Sequence, residues 1–254
     1  MLKAKGKVKN KALPSTGECC ITCSRIATLA HNWIMSMSLP PFPAVSGKEL
    51  TTILVCYLLG CFTAGYYWVR WRTGADLRDH GSGNLGARNA GRVLGFSGFV
   101  ATLLLDVAKG ALAVGMALYC GLRPELVVAA MLAVVVGHNW PMQLRFQGGK
   151  GIATTFGVLL AYDSFLVAIL LALFLPCFAL LRNFTLAGLL AFALSPFVVF
   201  LCGLENMEVV ATSLLAILIL VSHRKNIRGE FARLFSPPLK DAPISGAAEQ
   251  DHEL

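Results

Sequence analysis

Seven apolar runs separated by short polar segments decide what this chain can fold into. The runs are 49–69, 96–120, 125–140, 152–162, 164–181, 185–204 and 207–222. In hydrocarbon no water reaches a backbone N–H or C=O, so each run must close its own hydrogen bonds as a helix. Hydrophobic residues make up 56% of the chain and charged residues 14%, too little charge for a soluble domain of this length. The expected fold is an all-α polytopic membrane protein with about seven transmembrane or partial helices.

The division at Tyr162-Asp163-Ser164 decides between six spans and seven, and charge favours seven. With the N-terminus outside and the C-terminus cytoplasmic, segments 70–92, 143–151 and 182–184 and everything after 222 face the cytoplasm. They hold twelve of the fourteen Lys and Arg between residues 49 and 233. The opposite side keeps Arg123, Asp163, Glu205 and Glu208, while Lys109 falls inside a run. Six spans would lose this positive-inside bias. The fourth run, ~16 Å long at 1.5 Å per residue, is too short for ~30 Å of hydrocarbon. It is expected to be a partial helix whose positive N-terminal end carries Gly148-Gly149-Lys150-Gly151.

The flanks read differently. Residues 1–48 form an extension in which Lys3, Lys5, Lys7, Lys9 and Lys11 alternate with other residues and Pro40, Pro41 and Pro43 close the stretch. No apolar stretch there has signal-peptide length. The extension is read as a targeting segment or as the product of a start codon assigned too early, with Met35 or Met37 as the true start. Residues 49–235 are the membrane domain, and 236–254 a polar, mobile tail. The net charge of +8 does not point to nucleic acid, because the basic residues sit beside apolar runs, where membrane topology puts them. Cys56, Cys61, Cys120, Cys177 and Cys202 lie in or at the ends of runs, where a thiol acts as a small hydrophobe. Cys19, Cys20 and Cys23 lack His or Cys partners at zinc-finger spacing.

Three polar clusters interrupt the runs: residues 81–92 (Gly-Ser-Gly-Asn-Leu-Gly-Ala-Arg-Asn-Ala-Gly-Arg), residues 148–151, and residues 223–228 (His-Arg-Lys-Asn-Ile-Arg). Glycine lets backbone N–H groups approach an anion, and Arg, Lys, Ser and Asn complete such a site. Two phosphate-site motifs are excluded. Gly81-Ser-Gly83-Asn-Leu-Gly86 fits a dinucleotide fingerprint, but no strand precedes it and Asp106, twenty residues on, lies in an apolar helix. Gly149-Lys150 is no P-loop, because Leu144 and Gly151 occupy the first-glycine and Ser/Thr positions.

From about Glu49 to Phe235 the chain resembles the bacterial acyl-phosphate-dependent glycerol-3-phosphate acyltransferases. The family's first motif, Gly-Ser-Gly-Asn-x-Gly-Ala-Thr-Asn-x-x-Arg, is followed by residues 81–92 except at Arg88, where Thr is usual. The second matches His138-Asn139-Trp140-Pro141 with residues 146–154, and the third His223-Arg224-x-Asn226-Ile227-x-Arg228. Asp106, Lys109 and Gly110 form a further Asp-x-x-Lys-Gly element. The resemblance implies acyl transfer from acyl phosphate to the 1-hydroxyl of glycerol 3-phosphate, the first step of phospholipid synthesis. It implies no metal, no cofactor and no covalent acyl-enzyme. The site would face the cytoplasm from the plasma (inner) membrane, with membrane lipids as surroundings; oligomeric state stays open, with a monomer as the working expectation.

That reaction brings two phosphates together, so positive charge and donors fixed in advance must offset their repulsion. The catalytic set is Ser82, Lys150, His223 and Asn226, with Ser82 binding substrate and not acting as a nucleophile. The substrate-binding set is Gly81, Gly83, Asn84, Gly86, Asn89, Arg92, Gly148 and Gly149. Arg92 suits bidentate phosphate binding and Lys150 a point charge. His223 is read as a positioning donor in preference to a general base, since acyl phosphate already has a good leaving group. Asp106 and Lys109, one turn apart, are read as a buried structural ion pair. His138 and Trp140 are read as helix-end anchors at the membrane interface. Arg88 is expected either to reach the phosphate site or headgroups, or to stay solvated. An organic-anion transporter is the competing function; against it, the clusters share one face and no inverted repeat is visible.

Overall fold

The computed structural model describes residues 44–235. The lysine-rich extension with Cys19, Cys20, Cys23, Met35 and Met37, and the tail 236–254, lie outside the described residues. No strand occurs among those described. Helix α1 spans Gly47–Cys61 and α2 Ala64–Thr73. Then come α3, Ala87–Tyr119, and α4, Pro124–Asn139. Next are α5, Ile152–Tyr162, and α6, Ser164–Leu181. The last three are α7, Phe184–Leu201; α8, Asn206–Ser222; and α9, Arg224–Phe235. Five stretches are long and apolar enough to cross a membrane: 47–73, 87–119, 124–144, 164–181 and 184–201. The two shorter apolar helices are α5 and α8. Each of the seven sequence runs thus has its helical counterpart.

Local chemistry fixes several helix ends. At α1 Ser46 and Glu49 form a reciprocal capping box, which satisfies two otherwise orphaned donors. Asp163 is extended, ends α5, and accepts from the Phe165 N–H at 2.8 Å to start α6. Asn183 accepts from the Thr185 and Leu186 N–H groups to start α7.

The first run is interrupted at Phe62-Thr63 without any Pro or polar cap. The carbonyls exposed there are served from other helices. Lys109 Nζ donates to Gly60 O at 3.3 Å and to Phe62 O at 2.8 Å. Gln143 Nε2 donates to Cys61 O at 2.6 Å. The long helix α3, 33 residues, is bent at Gly95, whose φ of 73° and ψ of −163° only glycine adopts without strain. Residues 87–94, with Arg88 and Arg92, thereby separate from the apolar part that begins at Phe96.

Small residues let the helices approach closely. A Cβ on Gly60 would lie 2.1 Å from Val134 O, locking α1 to α4, and one on Gly157 would lie 1.9 Å from Val107 O, locking α5 to α3. The core gathers Cys56, Val114, Met131, Val135, Val158, Leu166, Phe192, Leu215 and Ile219. Leu104, Leu112, Leu175, Phe197 and Phe200 stay exposed, the outward face expected of helices solvated by lipid tails.

Candidate active site

The first cluster is a loop held from within. Asn89 is 1% exposed, and its amide is fully engaged by that loop's backbone. Its Oδ1 accepts from the Ser82 N–H at 3.0 Å, and its Nδ2 donates to Leu77 O at 3.2 Å and His80 O at 2.8 Å. Gly81 and Gly83 take positive φ, 57° and 67°. Arg92 passes so close to Gly81 that a Cβ there would lie 3.2 Å from its Cδ. Gly86 is the N-cap residue of α3 and has no side chain to cap it; its carbonyl accepts from the Asn89 and Ala90 N–H groups, which leaves those of Ala87 and Arg88 without an intrahelical partner. Ser82, Gly83 and Arg92 are exposed, while Asn84 and Gly86 are half-buried.

Two residues that the sequence reading passed over brace this loop. Asp76 and Arg78 form an ion pair, which holds the Asp76 carboxyl below its usual range and pushes the Arg78 guanidinium up. Arg78 also reaches Leu144 O at 3.4 Å, tying the first cluster to the segment before the second. Their alternation with Leu77 and Asp79 gives no periodic signal that would have marked them.

In the second cluster the glycine N–H groups turn inward. The Gly148 N–H donates to Asn139 O at 3.1 Å and the Gly149 N–H to His138 O at 2.9 Å. A Cβ on Gly148 would lie 2.2 Å from His138 O, and one on Gly149 1.9 Å from His138 Nε2. These two glycines are therefore required by packing on the end of α4, and their N–H groups are already used. Lys150 is left as the outward group of the loop, and Gly151, at φ 81°, starts α5.

His138 is enclosed by protein, not exposed as a helix-end anchor. It is 2% exposed, with Nδ1 2.7 Å from Lys109 Nζ and 3.6 Å from Asp106 Oδ1. The expected Asp106–Lys109 ion pair is present at 2.9 Å, both side chains buried, and His138 extends it into a triad. Trp140 is half-buried at the end of α4, where its carbonyl accepts from the Tyr57 hydroxyl at 3.1 Å.

The third cluster meets the second directly. Lys150 Nζ donates to Asn226 Oδ1 at 2.8 Å, and Asn139 Nδ2 donates to Ser222 Oγ at 2.8 Å. Burial, and then the Arg88 charge, hold the Lys150 ammonium below its ordinary pKa. His223 is 3% exposed. Its Nδ1 lies 2.9 Å from Ile219 O; a carbonyl can only accept, so Nδ1 carries the proton and the neutral ring presents Nε2 as an acceptor. Burial is the main cause holding its pKa below the usual histidine value, with the Lys150 charge adding to it against the Ile219 bond.

Arg88 donates to Thr185 Oγ1 at 3.2 Å and lies 5.8 Å from the Phe184 ring centre, so it bridges the first cluster to the start of α7. Beside it, a cleft of about 400 Å³ is lined by Arg88, Gly91, Arg92, Gly95, Phe96 and Phe99. It is open and lined almost wholly by apolar surface, with Arg88 and Arg92 at one end and Phe96 and Phe99 at the other, which suits an apolar tail.

Known proteins share this sequence pattern and this fold. The sequence model of the family described as glycerol-3-phosphate acyltransferase matches residues 50–233. Glycerol-3-phosphate acyltransferase 1 of Desulfitobacterium hafniense (strain Y51) is 43% identical over 181 residues, 71% of this chain and 89% of that protein. The enzyme of Parasynechococcus marenigrum (strain WH8102) is 37% identical over 70% of this chain and 84% of its own length. The crystal structure of PlsY (YgiH), an integral membrane glycerol 3-phosphate acyltransferase, in its glycerol 3-phosphate form superposes with a TM-score of 0.67. It is 31% identical and covers 74% of this chain and 94% of that one. Its lysophosphatidic acid form gives a TM-score of 0.65 at 28% identity, over 74% and 93%. With the family model covering nearly all of the membrane helices, and an integral membrane relative of the same fold, this chain belongs to the glycerol-3-phosphate acyltransferase family.

Proposed function

We propose that this acyltransferase takes its acyl group from acyl phosphate, delivers it to the 1-hydroxyl of glycerol 3-phosphate, and works at the cytoplasmic face of the plasma membrane. The observation that carries this reading is the Lys150–Asn226 hydrogen bond. It joins two clusters far apart in the chain around one cation, with Arg88 of the first cluster close enough to depress that cation's pKa. A site that must hold two phosphates against their repulsion needs such charge assembled beforehand.

In the proposed reaction the glycerol 3-phosphate hydroxyl oxygen attacks the acyl carbon. A C–O ester bond forms, the C–O bond to phosphate breaks, and inorganic phosphate leaves with the electron pair. Lys150 and Arg92 hold the phosphates, and Ser82 and Asn226 orient substrate oxygens. His223 Nε2, an acceptor in the tautomer set by Ile219 O, receives a hydrogen bond from the attacking hydroxyl. This departs from the donor role expected of His223 from sequence, because the donor nitrogen is taken by the helix. The hydroxyl proton goes to His223 or straight to the departing phosphate, whose second ionisation lies near neutral pH. Asn89, Gly148 and Gly149 serve by shaping the loops and do not themselves meet substrate; Gly81, Gly83, Asn84 and Gly86 keep the first loop close to it. The acyl chain rests in the Phe96–Phe99 cleft. The enzyme acts as a monomer surrounded by lipid.

The test is acyl transfer by the purified protein, run with acyl phosphate and with acyl-CoA. Lysophosphatidic acid should form from acyl phosphate alone. Robust turnover with acyl-CoA alone would sink the donor assignment. Uptake of glycerol 3-phosphate into proteoliposomes without acyl transfer would favour the transporter instead.

A further inference from the structure

We propose that His138 is a positioning residue for Lys150, through which the buried Asp106–Lys109 ion pair sets the height and angle of the glycine loop; the proposal rests on Lys150 binding phosphate, as above. Three contacts carry it. On one side the ring is pinned, with Nδ1 2.7 Å from the Lys109 ammonium, which is itself fixed by Asp106 at 2.9 Å and by the carbonyl of Phe62 at 2.8 Å. On the other side Gly149 lies against it so closely that a Cβ would fall 1.9 Å from Nε2. Beneath, the His138 carbonyl accepts from the Gly149 N–H at 2.9 Å. The ring is 2% exposed and backed by a buried cation, so it cannot swing aside for a larger neighbour.

Lys150 follows Gly149 directly, and its ammonium must still meet Asn226 Oδ1 at 2.8 Å. The next residue of α4 works on the same relationship from the opposite side: Asn139 accepts from the Gly148 N–H through its carbonyl and donates to Ser222, the residue before His223. One dipeptide at the end of α4 thus holds the second cluster by backbone and braces the third by side chain. The carboxylate, ammonium and imidazole form a rigid wedge whose tip is the Nε2 edge of His138.

A wedge predicts non-additive substitutions. Gly149→Ala should clash with the ring, displace Lys150 and raise KM for glycerol 3-phosphate by roughly 30-fold or more, while His138→Ala should raise it by roughly tenfold through loss of the stop. In the double variant the methyl enters the vacated space, so KM should return to within about threefold of His138→Ala alone; contacting residues show couplings of this size. His138→Asn keeps an acceptor for Lys109 but withdraws the ring from Gly149, and should relieve Gly149→Ala equally if His138→Ala does not fold. KM and kcat are read on the folded fraction of the full-length protein in one detergent, beside its melting temperature. Multiplying losses in the double variant, or a wild-type KM in folded His138→Ala and His138→Asn, would overturn the positioning role while leaving the reaction intact. Absence of acyl transfer by the wild-type chain would overturn the reaction and the proposal together.

Discussion

The Lys150 ammonium and the Asn226 amide oxygen, 76 residues apart in the chain, meet at 2.8 Å. The bond leaves two of the three ammonium protons for substrate. Lys150→Ala is expected to lose more than ~100-fold in kcat/KM, which corresponds to roughly 3 kcal/mol of preorganised charge. Asn226→Ala should cost less, and a double-mutant cycle should show coupling of at least ~0.5 kcal/mol between the two. Strictly additive losses would mean that the bond does not set the position of Lys150.

Arg88 and Arg92 should separate in kinetics although they lie one turn apart. Arg88 is engaged with Thr185 and Phe184, and the family manages with Thr at this position. Arg88→Thr should therefore keep kcat within a few-fold, whereas Arg92→Ala should lose more than ~100-fold, the scale of a lost phosphate clamp. An Arg88→Thr enzyme as inactive as Arg92→Ala would show that this chain's first cluster works differently from its relatives'.

The pH profile follows from the same charges. In the proposed reaction Lys150 acts protonated, so activity should fall as pH rises through a pKa that burial and Arg88 hold below the usual 10.5. Removing the Arg88 charge relieves part of that depression, and the alkaline limb of Arg88→Thr should move to higher pH. The same proposal has His223 act as a neutral acceptor, so activity should also fall as pH drops through a pKa held below 6.5. The acid limb should therefore lie on the acid side of 6.5 and vanish in a His223 variant with residual turnover. An alkaline limb that does not move in Arg88→Thr would detach it from Lys150.

Membrane orientation is open to labelling. Cysteines placed at Gly121 or Asn206 should react with an impermeant reagent on intact cells, and those at Gly91 or Lys225 should not. Equal reactivity at Asn206 and Lys225 would contradict the seven-span arrangement, in which α8 separates them.

The cleft at the bend of α3 should read acyl-chain length. Phe99→Ala removes apolar wall and should lower kcat/KM for a long-chain acyl phosphate roughly tenfold more than for acetyl phosphate, as expected for losing part of an aromatic contact. Equal losses with both donors would place the chain elsewhere.

The helix pattern was legible because its signals are local. Asp163-Ser164 cuts a long apolar stretch with a residue that caps the next helix, and α5 and α6 end where the sequence placed them. The break at Phe62-Thr63 was not legible, because its hydrogen-bond partners are Lys109 and Gln143, and no residue beside it has a breaking preference. Within the candidate site, the residue types marked clusters of which the fold joins the second to the third, but the direction each polar group faces depended on tertiary structure. Asn89, Gly148 and Gly149 suit an anion by chemistry, yet their polar groups face the protein's own backbone. His138 looked like an interfacial anchor from its place at a helix end, since nothing local reveals the cation on the preceding helix, 29 residues away.

The Lys109 contacts with Gly60 and Phe62 also order events during synthesis. When α1 and α2 leave the translocon, the carbonyls at their junction have no donor of their own, and hydrocarbon offers none. The donor lies nearly fifty residues further along, on a helix not yet made. The first segment must therefore wait in a wetter or protein-lined setting, or insert as a unit with α3. The lysine closes two of those carbonyls, and the third, on Cys61, waits longer still for Gln143 beyond α4.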